Sequence, residues 1–497
     1  MHLQCVLKSA TIVGVAALPV DVEVVVSNGL PGMTIVGMPD AAVRESQERV
    51  RAAIRACGFT MPQDKVVVNL APGSLRKVGA GFDLPIAAAI LGATGQVDSR
   101  KLEQYLWAGE LSLEGAVRPV KGVIAYASCA RDLGLSLAVS CDSQDCAPLE
   151  GIEQFGFRSL AGLRTLDPAP LRPKAYERGR ALLDFGEIRG HEAAKRAMQI
   201  AAAGGHGILL MGPPGSGKTM LAKALPSILP PLGEKERIQA AMVHSVAGEP
   251  IGAILAGARP FRCVHHSASM AGLVGGGTPV RPGEISLAHE GVLFLDELPE
   301  FSPAALQALR QPMEQGFITV TRADGSVKMP ARFMTVAAAN PCPCGYFGDP
   351  ERACTCTPSQ VSRYQGRIGG PLLDRIDMHI DVWRCDPGSI IHGGESAGAT
   401  SAELSVGVCA AREFARWRIE VLGDEDGDST ASLLSRCRLD SSGEALLESV
   451  AKSQGLSGRG IARVLSVART IADMGESKRV GESHLVEAIG FRMRGCL

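Results

Sequence analysis

Two periods of hydrophobic positions alternate through the first third of the chain. "VDVEVVVSNGLPGMTIVGMPD" alternates every second residue on either side of Asn28-Gly29, which predicts two strands joined by a tight turn. "AAVRESQERVRAAIRACGF" has apolar residues three and four apart, which predicts an amphipathic helix ending before Gly58. "KVVVNLAPG" predicts another strand and "GFDLPIAAAILGATG" a buried helix. Residues 1–165 therefore read as an α+β domain. Residues 166–185, with three prolines and little periodicity, read as a linker. Residues 186–385 alternate short apolar strands with helices, the pattern of a parallel α/β sheet. Residues 386–435 read as an acidic, Gly-rich connector carrying one helix, "AELSVGVCAAREFARWRIEVL", and residues 436–497 as helical.

Composition narrows the class. The 497 residues are 46% hydrophobic, enough for several cores. A formal net charge of −1 argues against a generally basic nucleic-acid coat and leaves local basic channels open. With 4% aromatics, a surface of stacked bases is not expected. There is no apolar run of membrane-spanning length. The N-terminal stretch has Lys8 as its only basic residue before Asp21 and Glu23, and reads as a strand rather than a signal peptide. The expected compartment is the cytoplasm, where 14 cysteines would not form a disulfide framework. Ten of them are scattered singly and are expected to pack as small apolar residues.

The strongest chemical signal is "GILLMGPPGSGKTMLAKAL". Gly212, Pro213, Pro214, Gly215, Ser216, Gly217, Lys218 and Thr219 match the phosphate-binding loop, with a strand before and a helix after. Its N–H groups and the helix N-terminus would face phosphate oxygens, Lys218 would reach the β/γ-phosphates, and Thr219 would ligate Mg²⁺. A chance Gly-rich turn would lack these flanks. "GVLFLDELPEF" ends a buried strand in Asp296 and Glu297. Beside such a loop, Asp296 completes the Mg²⁺ shell and Glu297 polarises the attacking water; alone, the pair could cap a helix. Asn340, ending "RFMTVAAAN", would position water near the γ-phosphate or serve as a plain turn residue.

Two clusters invite a metal. Cys342, Cys344, Cys354 and Cys356 form two Cys-x-Cys hooks. A disulfide within one hook would be strained, and a redox pair is normally spaced C-x-x-C. Four thiolates suit a closed, structural Zn²⁺ site, with free thiols as the alternative. Loss of the metal is expected to disorder this loop and weaken assembly or coupled ATPase, leaving nucleotide binding at Lys218 largely intact. His265 and His266, adjacent on an expected strand, should point to opposite faces and chelate poorly. They read as structural or substrate-loop residues.

"GPPGSGKT", "GVLFLDELPEF", "AANPCPCGYFGD", "GPLLDRIDMHIDV" and above all "RPFRCVHHSASMAGLVGGGTPVRPGEISLAHEGVLFLDE" together resemble the ComM/YifB family, bacterial AAA+ ATPases related to the magnesium-chelatase motor subunit. The resemblance covers nearly the whole chain. It implies an AAA+ P-loop parallel α/β domain with an all-helical lid, and ATP with Mg²⁺ as cofactors. Gly212, Gly217, Lys218 and Thr219 resemble Walker A, Asp296 and Glu297 Walker B, and Asn340 sensor 1. Arg375 resembles an arginine finger reaching a neighbouring subunit, which implies a homo-oligomeric ring, expected to be a hexamer; on its own it would read as a salt bridge to Asp374 or Asp377. Arg459 resembles sensor 2, with Arg463 one helical turn on as the second choice. The family pattern has Pro where Val264 stands.

The first domain resembles the Lon protease domain. The Lon serine position falls on Gly81 and its lysine on Ile124, so peptidase chemistry through Ser74 and Lys121 is not expected. The ComM/YifB resemblance implies a DNA helicase or branch-migration motor in transformation or recombination. "GRIGG" and "VTRADGSVKMPAR", the latter a hairpin with Asp324-Gly325 at its turn, are candidate basic loops. A chelatase-type or protein-remodelling motor is the alternative; chelatase motor subunits lack the cysteine insert in the family pattern.

Overall fold

The computed structural model describes residues 3–143, 146, 149–166, 168–172, 176–177, 179, 182–277, 280–322, 325–385, 398–424 and 429–492. Asp324, parts of the segment read as a linker, and the Gly-rich and acidic flanks of the connector lie outside the described residues.

The N-terminal alternation folds as a mixed sheet. β1 (Leu3–Val13) and β2 (Ala16–Ser27) pair antiparallel from Leu3↔Val26 to Val13↔Ala16. Every second residue of β2, Val20, Val22, Val24 and Val26, is buried. β3 (Gly32–Val36), β4 (Lys65–Ala71), β5 (Tyr105–Trp107), β6 (Ser136–Ser140), β7 (Gln154–Phe157) and β8 (Ala169–Pro170) complete the order β8-β7-β6-β5-β1-β2-β4-β3. The sheet thus closes inside the segment read as a linker. α1 (Ala41–Ala56) is capped by Asp40, which accepts from the Val43 N–H at 2.8 Å. It buries Val43, Val50 and Ile54 against α2 (Asp83–Ala93), which is buried all round. Asp83, at the start of α2, accepts from Arg49 Nε at 2.6 Å. α3 (Val123–Asp132) packs on β2 from the motor side.

The second sheet is parallel. β9 (Ile208–Met211) lies at the switch of chain order, between β14 (Phe333–Ala339) and β15 (Met378–Asp381), with β11 (Gly291–Leu295) and β10 (Phe261–Val264) beyond β14. β12 (Phe317–Arg322) and β13 (Gly325–Pro330) form the expected hairpin, but Gly325 pairs with Arg322 as the first residue of β13 and is not in the turn. α4 (Glu192–Gly204) packs on this sheet's β15 side, and α5 (Lys218–Ala224) follows β9. α6 (Glu234–Ala247) touches α3 of the N-terminal part. α7 (Pro303–Gln315), α8 (Pro358–Gly366) and α9 (Gly370–Leu373) precede β15.

α10 (Ser401–Leu422), α11 (Thr430–Cys437), α12 (Ser441–Gln454), α13 (Gly458–Met474) and α14 (Glu482–Gly490) make the helical C-terminal region. α10 and α13 both pack on α4, so this region shares a core with the parallel sheet. The contact is tied by buried charge. Arg418 on α10 donates from Nε and Nη2 to the two Asp473 oxygens on α13, both at 3.0 Å. Asp424 pairs with Arg418 and with Arg438, and Arg469 reaches Asp473 at 3.1 Å. Replacing Asp473 by Ala takes a shared carboxylate away from two buried guanidiniums, Arg418 and Arg469. It is expected to destabilise this helical region by about 3–5 kcal/mol, read from the denaturant midpoint; an unchanged midpoint would contradict the network's role.

Candidate nucleotide and metal sites

Every strand of the parallel sheet delivers a chemically distinctive residue at its carboxyl end, where α/β sheets bind ligands. β9 runs into Gly212, β11 into Asp296 and Glu297, β14 into Asn340, β10 into His265 and His266, and β15 into Arg384 and Cys385. In the loop after β9, Gly215 and Gly217 adopt φ of 78° and 86°, which only glycine takes without strain. Lys218 folds back over this loop. Its Nζ donates to the carbonyls of Gly212 at 2.7 Å and Pro213 at 2.9 Å, and lies 3.4 Å from Asn340 Oδ1. Burial lowers the Lys218 ammonium to about 8, against the pull of Asp296 and Glu297. A polyphosphate would supply the compensating charge.

Thr219 Oγ1 donates to Asp296 Oδ2 at 3.3 Å. A hydroxyl and a carboxylate oxygen side by side fit a Mg²⁺ ion that takes few protein ligands. Glu297 sits in the left-handed region at φ 53°, with its N–H donating to Asp296 Oδ1 at 3.0 Å. Its carboxylate is 3.1 Å from His266 Nδ1. This corrects the expectation for the histidines. β10 ends at Val264, so strand alternation no longer separates them. Their rings lie 4.0 Å apart, and one ligand atom from each, with Glu297, falls within 4.8 Å.

The four cysteines converge. Cys342 Sγ is 3.3 Å from Cys344 Sγ and 3.7 Å from Cys354 Sγ, and Cys344 Sγ is 3.6 Å from Cys354 Sγ. All four sulfurs lie within 4.8 Å of one another. A tetrahedral ion with Zn–S near 2.3 Å separates its sulfurs by about 3.8 Å, so the donor set fits zinc. Although burial pushes it up, the Cys344 thiol falls to about 5 because the N–H groups of Tyr346 and Thr355 and the neighbouring thiols stabilise its thiolate. Of the scattered cysteines, Cys5, Cys129, Cys146 and Cys437 are buried as expected, whereas Cys263 and Cys409 are exposed.

Arg375 and Arg459 are brought together around one carboxylate. Arg375 Nη2 lies 2.6 Å from Glu314 Oε1, and Arg459 Nη2 lies 3.6 Å from the same atom. The salt bridge is to Glu314 on α7, in place of Asp374 or Asp377. Arg463 pairs with Asp377 at 3.0 Å. These arginines line a cavity of about 190 Å³ that includes none of the residues from 212 to 219. In the N-terminal part, Gly81 and Lys121 line a cavity of about 330 Å³ with Tyr126, Glu110 and Arg281. Ile124 is buried in α3 and Ser74 is exposed; no Ser, Thr or Cys lines that cavity among the described residues.

Several residues at the site carry no motif. Glu314 is one. His191, at φ 61° before α4, comes within reach of Gly217, and Cys385 Sγ meets His191 Nε2 at 3.0 Å. Arg384 bonds the Pro214 carbonyl. For His191, Arg384 and Cys385 the only signal in the sequence is position, just before α4 or just after β15; Glu314 has none.

The comparisons with known proteins agree with this geometry. The chain is 41% identical to "Competence protein ComM" of Haemophilus influenzae, across 99% of this chain and 98% of that one. It is 42% identical to YifB of Escherichia coli, across 96% and 95%. The chain belongs to the ComM/YifB family. The ComM/YifB assignment is supported by matches to "Magnesium chelatase, subunit ChlI" over residues 184–390, "Subunit ChlI of Mg-chelatase" over 22–142, and "Magnesium chelatase, subunit ChlI C-terminal" over 398–492. The 67 kDa subunit of magnesium chelatase from Chlorobaculum parvum is more distant, 28% identical over 32% of this chain and 24% of its own length. This ComM/YifB chain is therefore a magnesium-chelatase-like AAA+ ATPase. Among its described residues, no helix is long and apolar enough to cross a membrane.

Proposed function

We propose that this protein is an ATP-driven motor that works on DNA, as a helicase or branch-migration factor on recombination intermediates. The observation carrying the motor reading is the convergence of Lys218, Thr219, Asp296, Glu297 and Asn340 at one edge of the sheet. Lys218 and the loop from Gly212 to Gly217 bind the phosphates. Thr219 and Asp296 hold Mg²⁺, which neutralises charge developing on the phosphates. Glu297, oriented by His266, polarises the attacking water, and Asn340 positions it. Arg375 and Arg459, gathered apart from their own P-loop, serve the site of a neighbouring copy in a ring, which we take to be a hexamer. Assembly must then draw Arg375 away from Glu314.

DNA is supported by the ComM relative, whose name links it to competence, and by basic side chains on the motor. Arg281 and Arg363 are exposed, whereas Arg332 pairs with Glu290 and Arg367 with Glu300. The cysteine hooks hold a structural Zn²⁺. The N-terminal part, which we liken to the Lon protease domain, serves binding or assembly, since Gly81 and Ile124 supply no nucleophile or base.

Labelled forked and four-way DNA, incubated with the protein, ATP and Mg²⁺, is expected to be unwound or migrated, and not by the Lys218→Ala variant. If no DNA structure is remodelled or raises ATP turnover, the DNA reading fails and a protein-remodelling or chelatase-type motor takes its place.

A further inference from the structure

The cysteine knuckle leans on the phosphate loop. Gly345, between the hooks, has φ of 85°, and a Cβ there would lie 2.5 Å from Pro214 Cδ. Only glycine allows that approach. The ring of the next residue, Tyr346, is within cation–π range of two guanidiniums. Arg352, on the approach to the second hook, lies 4.1 Å from the ring centroid and donates from Nη1 to the phenol oxygen at 2.8 Å. Arg384, from the exit of β15, lies 5.3 Å from the same ring. Arg384 Nε and Nη2 each donate to the Pro214 carbonyl at 3.3 Å. At the knuckle's other end, Asn340 meets Lys218, and Gln365 Nε2 donates to the Pro341 carbonyl at 3.0 Å.

We propose that the knuckle is a wall of the nucleotide site, in which metal binding by the cysteines sets Tyr346, Tyr346 sets Arg384, and Arg384 sets the P-loop through the Pro214 carbonyl. In a trans peptide the C=O and the following N–H point opposite ways. Pinning the Pro214 carbonyl therefore fixes the direction of the Gly215 N–H, a phosphate-facing donor in a P-loop. Both guanidiniums add cation–π attraction to the Tyr346 ring. One ion shared by the four sulfurs would hold the two hooks together, and with them Arg352 on Tyr346. This rests on the P-loop and zinc readings. It also revises the expectation that metal loss spares nucleotide binding at Lys218. Tyr346 and Arg384 are positioning residues.

The test is a fluorescent-ADP titration of the full chain, with zinc content and thermal unfolding measured on the same samples. Arg384→Ala is expected to weaken nucleotide binding about tenfold, the scale of a lost charged hydrogen bond and ring contact, with zinc retained and the unfolding midpoint unchanged. Tyr346→Ala should match it, while Tyr346→Phe, which keeps the stack, should bind nearly as wild type. Zinc removal by a chelator under reducing conditions should weaken binding similarly in the wild type and add little in Arg384→Ala, because the two act through one carbonyl. Unchanged nucleotide affinity in Arg384→Ala overturns the proposal. So do fully independent, multiplying effects of chelation and Arg384→Ala. A protein purified without zinc sinks the metal reading separately, and the Arg384→Ala titration then still decides the Arg384–Pro214 link.

Discussion

Glu297→Gln is expected to bind nucleotide as the wild type does and to hydrolyse it about 10²–10⁴-fold more slowly. The substitution keeps size, shape and the amide's capacity to accept a hydrogen bond, and removes the negative charge that polarises water. In the proposed site, nucleotide affinity would rest elsewhere, on Lys218 and the glycine-rich loop, and on a Mg²⁺ that Thr219 and Asp296 would hold. Little of the fold rests on the Glu297 side chain, which is exposed at the strand end and meets His266 at 3.1 Å. The measurement is steady-state phosphate release beside a nucleotide titration. Equal loss of both would mean that Glu297 is structural, and wild-type turnover would remove it from catalysis.

The second large effect belongs to Arg375→Ala, with ATP turnover expected to fall by about 10³–10⁵-fold, the scale of an arginine finger. Arg375 is largely buried against Glu314, at 2.6 Å, in a cavity apart from the loop that Lys218 closes. A cation held there by its own chain has no phosphate to stabilise unless a second copy presents one. Nucleotide binding by the variant should persist, since no P-loop contact is lost. Turnover close to wild type at saturating ATP would show that Arg375 is only the partner of Glu314. Arg459, 3.6 Å from the same carboxylate and exposed to solvent, should give a smaller loss when replaced by Ala.

What was legible in the sequence was local. Gly212 to Thr219, Asp296, Glu297 and Asn340 each end a short apolar run, so pattern alone places them at strand ends. Both Cys-x-Cys hooks sit within one loop, so their convergence was readable too. What could not be read depends on the order of strands. β9 pairs with β14 and β15, far from it in sequence, and that order brings Arg384 to Pro214 across 170 residues. The expected opposite facing of the histidines failed for a smaller reason: strand alternation was carried two residues past the end of β10. Glu314 gave no signal, being one acidic residue near the end of an amphipathic helix. The segment from Leu166 to Phe185 read as linker from its prolines, yet Ala169 and Pro170 pair with Gly156 and Phe155, because an edge strand tolerates proline.

The account stands on one idea above the rest, that each ATP site is finished by an arginine from the next copy of the chain. Mixing Lys218→Ala protein, which keeps Arg375 but cannot hold nucleotide, with Arg375→Ala protein, which holds nucleotide but lacks the finger, tests it directly. The predicted result is ATP hydrolysis by the mixture well above that of either variant alone, as intact half-sites meet. A mixture no more active than its two inactive components, although the two chains co-assemble, would contradict it.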